Sequence, residues 1–165
     1  MGYLLSYDRT MTNPFMTEAI RIAVESASSG LGGPFGAVVV RAGEVVASGA
    51  NRVVSTSDPT AHAEVVAIRR ACRHLGTFQL TGCELYSSCE PCPMCLGAAY
   101  WARLDRIWFA ATREDAAQSG FDDSLIYTEI SLPLSARRIP TGNMMRTEAA
   151  ESFRAWLAYS GRTEY

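Results

Sequence analysis

A chain of 165 residues, 48% hydrophobic and 19% charged, is long enough to bury an ordinary core and too apolar to remain disordered. Its net charge of −2 comes without any basic block, and all 15 positive residues are arginine, which reads as a composition bias and excludes the electrostatic footprint of most nucleic-acid binders. No apolar run approaches the roughly 20 residues needed to span a bilayer, and MGYLLSYDRT does not read as a signal peptide, so a cytoplasmic protein with a small-molecule partner and no membrane or nucleic-acid partner is expected.

Residues 1–13 read as a disordered N-terminal extension, with Met11 as an alternative start, and residues 14–165 as a single domain. The stretch TNPFMTEAIRIAVESASSG predicts a helix capped by Thr12 or Asn13, with Pro14 near its first position and Phe15, Ala19, Ile22 and Ala23 on one face. GGPFGAVVVRAGEVVASGAN predicts two strands joined by a tight turn at Ala42-Gly43. A second helix opens near Asp58-Pro59 and closes at Gly76, with basic residues in its last turns. CELYSS predicts a short strand, PCPMCLGAAYWAR a helix from about Pro91, RIWFAA a buried strand, and TEAAESFRAWLAYSG an amphipathic helix ahead of the terminal RTEY. Interleaved helices and strands imply an α/β domain whose sheet carries helices on its faces.

Five cysteines (Cys72, Cys83, Cys89, Cys92, Cys95) in a chain expected to be cytoplasmic point to metal ligands or buried thiols rather than disulfides. Cys92 and Cys95 in CEPCPMC are three apart at a helix start, which puts both sulfurs on one face where the helix dipole favours thiolates. His62 sits in the first turn of the earlier helix, just after Pro59, and Glu64 follows two residues later, off the face His62 occupies. One histidine and two thiolates make three ligands of a tetrahedral zinc site, with the fourth position left to water and Glu64 free to move protons, the pattern of a catalytic centre. Cys89 precedes Glu90-Pro91, belongs to a strand end and should point away from the two helical sulfurs. A closed structural site using Cys89 as fourth ligand stays open at this point. An iron–sulfur cluster lacks its fourth cysteine and following proline, and no nucleophile-elbow motif supports a serine hydrolase.

HAE followed by PCPMC is the H-x-E…P-C-x-x-C signature of zinc deaminases. With GGPFGAVVV, DPTAHAEVVAIRRAC, YSSCEPCPMCLGAAYWAR and GFDDSLIYTEI, the chain resembles the bacterial guanine deaminases of the cytidine/deoxycytidylate deaminase-like family, from Pro14 to the final residues, most specifically in its central third. The resemblance implies a three-layer α/β/α cytidine-deaminase-like fold with a five-stranded mixed sheet, one zinc per subunit held by His62, Cys92 and Cys95, and hydrolytic deamination of guanine to xanthine and ammonia with Glu64 moving the protons. It implies that Asn51 hydrogen-bonds the purine, that Phe35, Ala63, Trp101 and Phe121 surround the base, and that Asp123 shares the proton work or holds the guanine edge. It also implies a homodimer in which residues 147–165 are exchanged between subunits and Tyr165 covers the partner's site. Guanosine, other purines or aminotriazines such as ammeline are the alternative substrates, and tRNA adenosine, cytidine or cytosine more distant ones, because the signature is shared across these activities.

Overall fold

The fold begins where Asn13 caps the first helix: its side-chain oxygen accepts from the Phe15 and Met16 amides at 2.9 and 3.0 Å, and Pro14 occupies the first helical position with its preset φ. The computed structural model describes residues 12–164, so most of the expected N-terminal extension, and Met11 with it, lies outside the described residues. Two compact units divide between Asp122 and Asp123.

The first unit runs α1 (Pro14–Ser28), β1 (Gly36–Arg41), β2 (Glu44–Ala50), a one-turn α2 (Val53–Thr56), α3 (Ala63–Leu75), β3 (Cys83–Cys89), α4 (Pro93–Trp101), β4 (Arg106–Ala111) and α5 (Arg113–Gln118). The β1–β2 turn falls at Ala42-Gly43 as expected, with φ of 51° and 81°, the double positive φ of a type I′ hairpin. The sheet order is β2-β1-β3-β4, with β1 antiparallel to both neighbours and β3 parallel to β4 across the α4 crossover.

The pleat divides the core in two. Ala37 and Val39 of β1 and Cys83 and Leu85 of β3 pack with Ala63, Ala67, Ile68 and Ala71 of α3 and Ala99 of α4. Val38, Val40 and Tyr86 face the other way, onto Ala19 of α1. The unit is therefore a sheet between α1 on one face and α3 and α4 on the other. β4 is an edge strand among the described residues, and Arg106, Phe109 and Ala110 are exposed, so the expectation of a fully buried strand does not hold.

The expected five-stranded sheet is corrected to four strands. After β4 the described residues form only helices and connecting turns. Thr112 and Asp115 form a reciprocal capping box that starts α5. The apolar residues of SLIYTEIS recur at helical rather than alternating spacing, Ile126 and Tyr127 against Ile130. The second unit thus holds α6 (Ser124–Ser131), a 3₁₀ turn (Leu134–Ala136) and α7 (Arg146–Ala158). No helix among the described residues is long and apolar enough to cross a membrane.

One close approach sets the height of α3 over the sheet. A Cβ on Gly49 of β2 would lie 2.2 Å from the Ala63 carbonyl oxygen and 2.6 Å from the Ala67 nitrogen, both backbone atoms that cannot swing aside. Gly49→Ala is therefore expected to destabilise the fold by about 1–3 kcal/mol. Thermal unfolding checks this: a melting temperature equal to that of the parent contradicts the close approach.

Candidate metal centre

Two helix starts are brought together by the packing of α3 against α4. His62 is the N-cap of α3, with extended backbone at φ −66°, ψ 155°, and its carbonyl accepts the Val66 amide at 2.9 Å. The loop before it is pinned, because Asp58 Oδ1 accepts from the Thr60 amide and hydroxyl at 2.8 and 2.7 Å and the Ala61 carbonyl accepts the Arg52 amide at 2.9 Å. Cys92 is likewise the N-cap of α4, Pro93 takes the first helical position, and Cys95 follows one turn on. The helix expected from about Pro91 thus starts at Pro93, and His62 sits at its helix's cap rather than inside the first turn. The His62 imidazole makes no capping bond to its own helix and is turned toward the two sulfurs.

His62 Nδ1 lies 3.6 Å from Cys92 Sγ and 3.5 Å from Cys95 Sγ, and the three ligand atoms fall within 4.8 Å of one another. Zinc–sulfur and zinc–nitrogen bonds of about 2.3 and 2.0 Å meeting at a tetrahedral angle separate N from S by roughly 3.5 Å. The two N–S separations therefore match a tetrahedral zinc ion, and three ligands leave its fourth vertex to another group. The local field suits a cation. Donation from the Cys95 thiol, and then the neighbouring His62, lowers Cys92 to about 4, against the opposing effect of burial. Cys95 is pushed up, first by its hydrogen bond to Cys92 and then by burial, while the Cys92 sulfur raises His62.

Glu64 sits in the first turn of α3, 5% exposed, and its Oε1 accepts a hydrogen bond from Ser87 Oγ at 3.3 Å. Burial raises its pKa above the ordinary carboxylate value. A buried acid beside a cation site, outside the ligand set, is placed for proton transfer rather than for ligation. Cys89 is not in the trio. Its thiol turns instead to the Thr112 carbonyl, to which it donates at 3.5 Å, and burial pushes it up to about 11.

The remaining expected site residues divide. Asn51, 6% exposed, directs one terminal atom at two backbone N–H groups, those of Gly33 at 3.3 Å and Val53 at 3.2 Å. That atom must be the carbonyl oxygen, so the NH₂ is the end left to donate. Phe35 meets Phe121 edge to face, with ring centroids 4.9 Å apart. Ala63 is fully buried in the core. Trp101 ends α4 with 64% of its surface exposed and the Arg103 guanidinium 5.9 Å from its ring. Asp123 is the half-buried residue preceding α6, in the second unit. Tyr165 lies outside the described residues. Sequence reasoning missed Ser87, whose only signal was a polar residue in the apolar row Cys83, Leu85, Ser87, Cys89.

An α/β fold presenting a histidine and two cysteines from two helix starts, with a buried glutamate alongside, defines a zinc hydrolase centre of the deaminase class. Residues 9–111 match the family described as "Cytidine and deoxycytidylate deaminase zinc-binding region", and the chain belongs to that family. It is 52% identical over 151 residues to the guanine deaminase of Bacillus subtilis, covering 92% of this chain and 97% of that one. The X-ray structure of guanine deaminase from Bacillus subtilis superposes with a TM-score of 0.90 at 51% identity, covering 93% and 99% of the two chains. A tRNA-specific adenosine deaminase of Aquifex aeolicus is 47% identical over 78 residues, but this spans only 47% of this chain and 52% of that one.

Proposed function

We propose that this chain catalyses the zinc-dependent hydrolytic deamination of guanine to xanthine and ammonia. The observation that carries the reading is the buried Glu64 beside the His62, Cys92 and Cys95 trio, in a chain similar along nearly its whole length to a guanine deaminase. Zinc, when bound by these three residues, supplies the Lewis acidity that makes water a usable nucleophile at neutral pH.

The protein's own groups do the rest. Glu64 takes a proton from the attacking water, gives it to the ring nitrogen next to the amino-bearing carbon, and then assists protonation of the departing amine. Its environment suits that exchange, because burial raises its pKa above the ordinary carboxylate value and so weakens its acidity. Asn51 presents its NH₂ to an acceptor on the base, which suits the carbonyl edge of guanine and not the amino group of adenine. The Phe35–Phe121 pair forms an apolar wall for the ring, and Asp123 holds the guanine edge or shares the proton work. Ala63, fully buried, contributes through its backbone, and Trp101 closes the outer side. A net charge of −2 is unsuited to a tRNA backbone.

The protein is further read as a cytoplasmic homodimer that exchanges residues 147–165 and places Tyr165 over the partner's site. Deleting residues 162–165 is then expected to lower turnover while zinc stays bound; full turnover by the shortened chain counts against the exchanged lid.

The test of the whole reading is ammonia release by the zinc-loaded protein from guanine, guanosine, cytidine and adenine in parallel. Guanine is expected to be preferred, with xanthine as product. Preference for guanosine would overturn the free-base assignment while leaving the chemistry, and silence on all four would overturn the reading.

A further inference from the structure

The inner row of β3 is apolar except at one position. Cys83 and Leu85 are fully buried against α3 and α4, and Ser87, 2% exposed, continues their row. Its strand neighbours are Ala37 on β1 and Phe109 on β4. A hydroxyl in such a place costs stability unless it is hydrogen-bonded, and its recorded partner is the Glu64 carboxylate, 3.3 Å away. An alanine would satisfy the packing of this row without the polar group, so packing alone does not account for the serine.

The next residue is an internal comparison. Ser88 points to the opposite face of the sheet, where its oxygen accepts the Gly36 amide at 3.0 Å and ties β3 to the start of β1. The pleat thus separates two adjacent buried serines into one that joins strand to strand and one that reaches the acid beside the metal trio.

We propose that Ser87 is a positioning residue for the deamination: its hydroxyl holds Glu64 Oε1 against the sheet, fixing the carboxylate so that the other oxygen carries the proton transfers. The inference rests on the proposed deaminase reading. A glutamate has three side-chain torsions, and a proton shuttle must serve the water, the ring nitrogen and the amine from one place. One oxygen anchored on a β-strand removes the final torsion as a variable. The long 3.3 Å separation is that of a resting site, whose hydrogen bonds tighten once substrate is bound.

The experiment compares Ser87→Ala, Ser87→Thr and Ser88→Ala in the zinc-loaded full chain. Readouts are zinc content, kcat and KM on whichever of the four bases the parent turns over best, and the ¹³C signal of the Glu64 carboxyl, assigned by its loss in Glu64→Gln. Losing a charge-assisted hydrogen bond in the transition state predicts a kcat about tenfold lower for Ser87→Ala. KM and zinc content should be unchanged, and the carboxyl signal displaced. Ser87→Thr, which keeps the hydroxyl on a residue type that strands favour, should restore both kcat and signal. Ser88→Ala should lower the melting temperature and leave kcat alone. The proposal is overturned by parental kcat in Ser87→Ala, by an equal loss in Ser88→Ala, or by a threonine variant as slow as the alanine one. If the parent deaminates none of the bases, the deaminase reading fails separately, and an unmoved carboxyl signal overturns the positioning role.

Discussion

Glu64→Gln is expected to retain zinc and to lose about 10²- to 10⁴-fold in kcat, the range that a positioned proton-transfer group contributes. Glutamine matches glutamate in shape, so the buried space in the first turn of α3 stays filled and its carbonyl oxygen can still accept from Ser87. The amide cannot accept a proton from water at neutral pH and cannot pass one on. KM should change little, since the missing interaction belongs to the transition state rather than to the bound base. Metal analysis and steady-state kinetics on the same preparation check the claim. A glutamine variant with parental kcat would remove Glu64 from the mechanism and favour a zinc site that only supports the fold.

Cys92→Ala is expected to abolish both stoichiometric zinc and detectable turnover. Two remaining ligands, His62 and Cys95, cannot enclose a tetrahedral ion, and the lost sulfur is the one whose pKa its neighbours lower. Cys92 is half-buried while Cys95 is fully buried, so the Cys92 variant separates metal loss from core damage better. The same site predicts a pH dependence. Protons and zinc compete for Cys95, whose thiol is held protonated by Cys92 and by burial, and for His62, whose affinity for a proton is raised by the Cys92 sulfur. Zinc affinity should therefore fall as pH is lowered, with His62 beginning to compete above the ordinary histidine range. Metal retention against a chelator across that range measures it. A Cys92→Ala protein carrying one zinc per chain would contradict the ligand assignment.

These expectations differ in how directly they came from residue spacing. The metal trio was legible because ligand chemistry is local: Cys92 and Cys95 are one helical turn apart, and proline marks where that turn begins. His62 and Glu64 were separable for the same reason, since i and i+2 do not share a helix face, and Glu64 indeed lies outside the ligand trio. Cys89 was separable from the other two by the proline that follows Glu90, and its thiol does turn to the Thr112 carbonyl instead. The hairpin at Ala42-Gly43, helix α1 and the close of α3 at Gly76 follow from caps and periodicity alone, whereas α3 opens at Ala63 rather than near Asp58-Pro59.

Other features depend on which segments meet, and local pattern is silent about that. RIWFAA reads as a buried strand by composition, yet its burial depends on a neighbour beyond β4, and among the described residues the sheet stops there at four strands. That the Gly33 and Val53 amides occupy the Asn51 oxygen is visible only once the segments carrying them have met. Ser87 is one small polar residue in an apolar row, and only the packing of α3 on β3 brings it to Glu64. Sequence by itself determined the chemistry of this protein, because ligand identity, thiolate-favouring helix starts and proton-carrying side chains are properties of short segments. Tertiary structure alone decided the geometry that chemistry needs, because hydrogen bonds between residues as far apart as Glu64 and Ser87 exist only once the sheet and its helices have closed around a shared core.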